Sequence, residues 1–197
     1  MKKLLLVIFV LAVVIVGLLF YLGFFSKVVI REKEVGPFGL VYAEHVGDYK
    51  KIASVQEKIY YSLLDGDKIS TTKGFGIYFD DPNKVKTEKL RSVSGCILEA
   101  KDLTKLSDLS KKYKTKLIDK QNMLMVEFPY KNSFSIMLGV IKVYPIINQH
   151  LEEFKLPPME IMEIYDLPNK KIIYLVPFKH LLELDKAKAT TTDSSVK

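Results

Sequence analysis

Tyr78, Glu163 and Tyr165 are the residues whose types and spacing offer recognition chemistry. Alternate residues along a strand face opposite sides of a sheet. Phe75, Ile77 and Phe79 therefore form one apolar face, with Gly76 and Tyr78 on the other. In a second run, Met162 and Ile164 share the apolar face, leaving Ile161, Glu163 and Tyr165 opposite. An acid at the floor of an aromatic cleft has its pKa raised by desolvation, or is held ionised by a bound cation. The structural alternative is a solvent-facing Glu163 paired with Lys171 across a hairpin, because glutamate is rarely buried unpaired. Glu160 falls on the opposite face, at a strand edge.

Other chemistries find little support. His45, His150 and His180 have no metal-ligand spacing, and a single cysteine, Cys96, excludes an internal disulfide framework and a cysteine-based zinc site. Cys96 reads as a small buried strand residue. No nucleophile elbow, P-loop or dinucleotide fingerprint occurs. No catalytic residue, metal ligand or cofactor is assigned. Lys and Arg outnumber Asp and Glu by 30 to 23, but Lys50–Lys51, Lys111–Lys112 and Lys170–Lys171 are interspersed with acids. A nucleic-acid binder clusters its basic residues on one face, so no nucleic-acid partner is expected.

The elements that must position the tyrosines and the acid come in two similar sets. Gly76-Ile77-Tyr78-Phe79-Asp80-Asp81-Pro82-Asn83-Lys84 recurs as Glu163-Ile164-Tyr165-Asp166-Leu167-Pro168-Asn169-Lys170, at an offset of about 86 residues. Each copy follows an apolar strand (Leu40 to Val46; Met123 to Phe128), a tyrosine (Tyr49; Tyr130) and an amphipathic helix. Ile52, Val55, Ile59 and Leu63 stripe the first helix, which ends at Asp65-Gly66. Phe134, Met137, Leu138, Ile141 and Tyr144 stripe the second, capped by Ser133, with a kink or break expected at Pro145. Returning strands are expected at Ser94 to Leu98 and Ile172 to Pro177, and a connecting helix at Leu103 to Tyr113. The fold class is α+β: duplicated strand-helix-strand-strand modules forming an antiparallel sheet with helices on one face.

A membrane segment precedes this domain. Leu4 to Phe25 carries no charged side chain, and as a helix it spans roughly 33 Å against a hydrocarbon core of about 30 Å. It exceeds a signal-peptide core, and Phe24-Phe25-Ser26-Lys27 offers no small-residue cleavage pattern. Residues 1–26 are therefore read as an uncleaved, single-pass signal anchor. Lys2 and Lys3 before it, and Lys27, Arg31 and Lys33 after it, nearly tie in the count that sets orientation, so the side of the domain is undetermined. Residues 27–185 form the domain, and 186–197, without a large apolar side chain beyond Val196, a disordered tail.

His45-Val46-Gly47-Asp48-Tyr49, Gly76-Ile77-Tyr78 with Asp81-Pro82, and Glu163-Ile164-Tyr165 together resemble the GyrI-like small-molecule-binding (effector-binding) domain, over Val29 to Phe178. With the anchor, Tyr78-Phe79-Asp80-Asp81-Pro82 and Phe128-Pro129-Tyr130 are similar to the single-pass ER-phagy receptor type of that family. The resemblance implies a cleft between the halves for a hydrophobic small molecule. In drug-binding members an acid of the second half meets a positive charge, and Glu163 is the matching position, with Tyr78 and Tyr165 as aromatic walls able to make cation–π contacts. Some relatives hydrolyse electrophilic small molecules, making a Glu163-dependent hydrolase the alternative. A membrane-tethered adaptor with protein partners is another. Residues 186–197 lack the aromatic-x-x-aliphatic motif through which that receptor type recruits autophagy machinery, and no helix-turn-helix precedes the domain. The expected partners are the lipid bilayer through residues 4–25 and a hydrophobic, in its charged form cationic, small molecule.

Overall fold

The computed structural model describes residues 2–157 and 159–178. Helix α1 (Lys2–Tyr21) is apolar all round and buries none of its residues against the protein. It is long and apolar enough to cross a membrane, a property shared with signal sequences near an N-terminus. The proposed disordered tail and His180 lie outside the described residues.

The remainder is α+β, built from one eight-stranded antiparallel sheet. Its strands are β1 (Arg31–Val35), β2 (Phe38–Val46), β3 (Lys73–Tyr78), β4 (Arg91–Ile97), β5 (Lys114–Ile118), β6 (Gln121–Pro129), β7 (Ile161–Asp166) and β8 (Lys171–Pro177), in the order β1-β6-β8-β7-β3-β4-β2-β5. Helix α2 (Ile52–Tyr61) joins β2 to β3, and α4 (Ser133–Glu153) joins β6 to β7. The short α3 (Leu106–Leu109) follows a 3-10 segment at Ala100–Lys105 in the link from β4 to β5. Both halves thus run strand, strand, helix, strand, strand. The outer strands are exchanged: β1 pairs with β6 of the second half, and β5 pairs with β2 of the first.

Three apolar clusters follow from strand alternation. On the helix-covered face, α2 and α3 close over Val41, Cys96 and Leu98, while α4 closes over Val126, Phe128, Ile172 and Tyr174. Among the described residues, no helix covers the other face. There Phe75, Ile77, Val93, Met123, Met162 and Ile164 pack with Leu40 and Ile118, and Val35 of one edge strand joins the same cluster as Ile118 of the other. The sheet therefore curls so that its own strands enclose this core, each fully buried aliphatic or aromatic side chain contributing about 1.5–3 kcal/mol.

Helix starts and ends depart from expectation in instructive ways. Asp48 accepts a hydrogen bond from the Lys50 amide and opens a 3-10 turn at Tyr49–Lys51 that leads into α2. Asn132, not Ser133, caps α4, accepting from the Phe134 amide at 3.0 Å. The helix continues through Pro145 rather than breaking there. The connecting segment is a 3-10 stretch and one short helix instead of a helix from Leu103 to Tyr113. Strands β1 and β5 were not anticipated, because their mixed charged and apolar sequences carry no clean alternation.

Candidate functional site

The registers of β3 and β7 bring the two repeated segments face to face. Gly76 is directly opposite Glu163, with Ile77 opposite Met162 and Phe75 opposite Ile164. Of these pairs, Gly76 and Glu163 are the positions that align between the two repeated segments, and they meet at the centre of the β3–β7 pairing. The row continues across the sheet as Ala43, Ser94, Gly76, Glu163, Tyr174 and Val126. Paired residues share a face, so Glu163 points to the side covered by the helices.

Glu163 is 1% exposed, and its carboxylate is held by phenols. Tyr144, reaching down from α4, donates to Oε1 at 2.7 Å, and Tyr165, two residues along β7, donates to Oε2 at 2.9 Å. The hydroxyls of Tyr78 and Tyr165 approach to 3.3 Å. Tyr78 folds back over Gly76, where a β-carbon would lie 3.1 Å from its hydroxyl. Tyr49 holds Tyr78 edge-to-face at 4.9 Å between ring centres and lies within hydrogen-bond reach of the Asp80 and Arg91 carbonyls, at 2.9 and 3.0 Å. Tyr174 stands edge-to-face with Tyr144 at 6.0 Å, and its buried hydroxyl has no hydrogen-bond partner among the described residues. Gly139 of α4 makes room for that hydroxyl; a β-carbon there would overlap it.

Burial dominates the electrostatics. Desolvation pushes the Glu163 carboxyl above the usual carboxylate range, opposed by the hydrogen bonds from Tyr144 and Tyr165. The same burial, with the nearby Glu163 charge, lifts the phenols of Tyr78, Tyr144, Tyr165 and Tyr174, and desolvation raises Tyr49 to about 12. Among the described residues, no Lys or Arg forms an ion pair with Glu163. Lys171 instead pairs with Glu127 at 3.0 Å, which removes the solvent-facing hairpin pair considered from sequence. At the rim, Asp80 takes a two-point contact from the Arg91 guanidinium at 2.8 and 3.0 Å, which holds its carboxyl below the ordinary value.

The structure thus brings Tyr78, Glu163 and Tyr165 to one place, packed rather than gaping. Cavities among the described residues lie elsewhere, including a small apolar one beside Leu151 and Val176 and one of about 270 Å³ against Tyr21 and Lys131. Sequence reasoning missed Tyr49, Tyr144 and Tyr174 as members of the cluster. Tyr174 was findable: a short turn at Leu167–Lys170 sets the β7–β8 register and puts it opposite Glu163. Tyr144 reads as a core residue of α4, and only the docking of the helix sends it to the acid. Among the described residues, no group of His, Cys, Asp and Glu is arranged to hold a metal ion.

No family model matches the chain. Among curated proteins it is similar to testis-expressed protein 264 homolog of Mus musculus, 27% identical over 145 residues that span 70% of this chain and 44% of that protein. It is also similar to testis-expressed protein 264 of Homo sapiens, 29% identical over 99 residues, 47% of this chain and 32% of that protein. The chain therefore spans less than half the length of these relatives. Solved structures with a similar course include SAV2435 bound to tetraphenylphosphonium (TM-score 0.46, 9% identity, 76% of this chain and 93% of that one). Another is a hydrolase encoded by lin2189 from Listeria innocua (TM-score 0.44, 13% identity, 75% and 90%).

Proposed function

We propose that this chain is a membrane-anchored GyrI-like binding module. Residues 1–26 hold it in the bilayer, and residues 27–185, two halves descended from one duplicated unit, bind a hydrophobic cation between them. Tyr78, Glu163 and Tyr165 are its ligand-binding residues. The observation that carries the reading is Glu163, a fully buried carboxyl at the centre of the β3–β7 pairing that is surrounded by phenols and lacks a cationic partner among the described residues. A buried carboxyl without a counter-charge favours its neutral form. An entering cation reverses that preference, and the two phenol hydrogen bonds then become charge-assisted. The long 3.3 Å contact between Tyr78 and Tyr165 is the seam that parts to admit the ligand, their rings becoming its walls.

The test is titration of the full chain in detergent with tetraphenylphosphonium and, separately, with neutral triphenylphosphine oxide. Glu163→Gln is expected to weaken the cation by about 10- to 100-fold, the range of a charge-assisted interaction, and to change the neutral ligand little. Equal weakening of both, or of neither, would falsify the role of Glu163. Turnover of an electrophilic substrate that disappears in the same variant would replace binding by hydrolysis.

A further inference from the structure

The cavity of about 270 Å³ at the end of α1 is lined by Tyr21, Tyr130, Lys131, Leu167 and Lys170. Its walls come from three separate places: the last residue of α1, the chain just after β6, and the turn between β7 and β8. Lys131 Nζ lies 5.7 Å from the centre of the Tyr21 ring. Neither lysine forms an ion pair among the described residues. Tyr130 to His150 contains no Asp or Glu, and neither does Leu167 to Lys171. The acid next to this turn, Asp166, is buried and engaged by the Asn169 side chain and, at 3.9 Å, by Lys73.

Its height above the bilayer is fixed by covalent and tertiary contacts. Helix α1, about 30 Å long at 1.5 Å per residue, matches the hydrocarbon core and ends at Tyr21. Tyr21, Phe24 and Phe25 are the aromatic side chains expected at the headgroup level. The helix end is tied to the domain: Leu22 is buried in the cluster beneath α4, and Lys142 Nζ donates to the carbonyls of Phe24 and, at 2.7 Å, Ser26. On the same end of the domain, Leu167 and Phe134, the latter three residues after Lys131, are 53% and 63% exposed.

We propose that this cavity binds the phosphate-bearing headgroup of an anionic phospholipid. Lys131 and Lys170 meet the phosphate, the Tyr21 and Tyr130 hydroxyls supply donors, and Leu167 and Phe134 rest in the acyl boundary. The assignment rests on the reading of α1 as a membrane anchor. A free phosphate would use the same lysines, but the apolar rim and the position at the end of α1 favour the lipid.

The full chain reconstituted in nanodiscs of phosphatidylcholine with phosphatidylglycerol, then transferred to detergent and weighed by native mass spectrometry, tests it. The chain is expected to retain phosphatidylglycerol over phosphatidylcholine. The preference should fall about 30-fold in Lys131→Ala/Lys170→Ala, each lysine near an anionic surface contributing about a factor of five. Lys58→Ala/Lys101→Ala, an exposed pair in the first half, should leave it unchanged. Equal retention of the two lipids, or an equal fall in both double variants, overturns the site. Displacement by inorganic phosphate without lipid preference overturns the lipid and assigns a free anion. Alkaline carbonate extraction separates the premises: release of the chain from the bilayer defeats the anchor and the site together, whereas retention without lipid preference defeats the headgroup site alone.

Discussion

The two halves of the domain place corresponding strands in the same register and differ in what fills the junction between them. Where the second half has Glu163 and Tyr174, the first has Gly76 and Ser94. Small residues on the first side let Gln56 of α2 pack directly on the Gly74 backbone, and Ser94 turns its hydroxyl to the Phe75 carbonyl at 2.7 Å. On the second side the large residues are met by α4 through Tyr144, and by the gap at Gly139. The difference makes chemical sense where β3 and β7 meet with Gly76 opposite Glu163. Two equivalent acids would face each other there, and like charges at such a distance cannot both ionise. One acid opposite a glycine gives a single charge site with room for an aromatic lid, which Tyr78 supplies.

Making the halves alike should break the fold most. Gly76→Glu sets a second carboxyl against Glu163 and drives Tyr78 from its place, with an expected loss of about 3–5 kcal/mol, the scale of an uncompensated buried charge. Thermal unfolding of the full chain in detergent measures it, and a stability near that of the parent would mean that the junction is more open than the packing indicates. The phenols of the second half separate by whether they have a partner. Tyr144→Phe removes a donor from a buried carboxyl and should cost about 1.5–3 kcal/mol, whereas Tyr174→Phe deletes a buried hydroxyl without a partner and should be neutral or stabilise by about 1 kcal/mol. Equal costs for the two would show that Tyr174 has a partner in solution.

The smallest effect is a pH dependence of opposite sign in the two halves. The folded pKa of Glu163 is raised from 4.5, so its contribution is fully present below that value and is lost as pH rises through the raised one. Asp80 of the first half is lowered from 3.8 by Arg91, so its contribution is present above 3.8 and lost as pH falls through the lowered value. Unfolding midpoints followed from about pH 3 to about pH 8 should lose the decline on the alkaline side in Glu163→Gln and the decline on the acid side in Asp80→Asn.

What could be read from the amino acids alone was what alternation and repetition encode. The faces of β3 and β7, the opposition of Tyr78, Gly76 and Glu163 to the apolar side, and the order of elements in each half all follow from period-two and helical spacing. Tyr144 was hidden because helix docking, not spacing, decides which residue of α4 reaches the junction. The packed state of the site was hidden too: whether tyrosines line a space or fill it depends on rotamers and on neighbours such as Tyr49 and Gly139. Strands β1 and β5 were invisible because Arg31-Glu32-Lys33-Glu34-Val35 and Lys114-Thr115-Lys116-Leu117-Ile118 draw their order from partners in the opposite half.

That exchange of edge strands also sets a timetable for biosynthesis. Strand β1 is translated soon after α1, but its partner β6 is made roughly ninety residues later, which is about 5–20 s of elongation. Until the link after β4 is translated, β2 lacks β5, and until β6 follows, β1 lacks its partner and the apolar face of the first half lacks the strands that complete its core. A ribosome that stalls before β6 therefore leaves an incomplete sheet with open strand edges, the state most exposed to chaperones and to self-association.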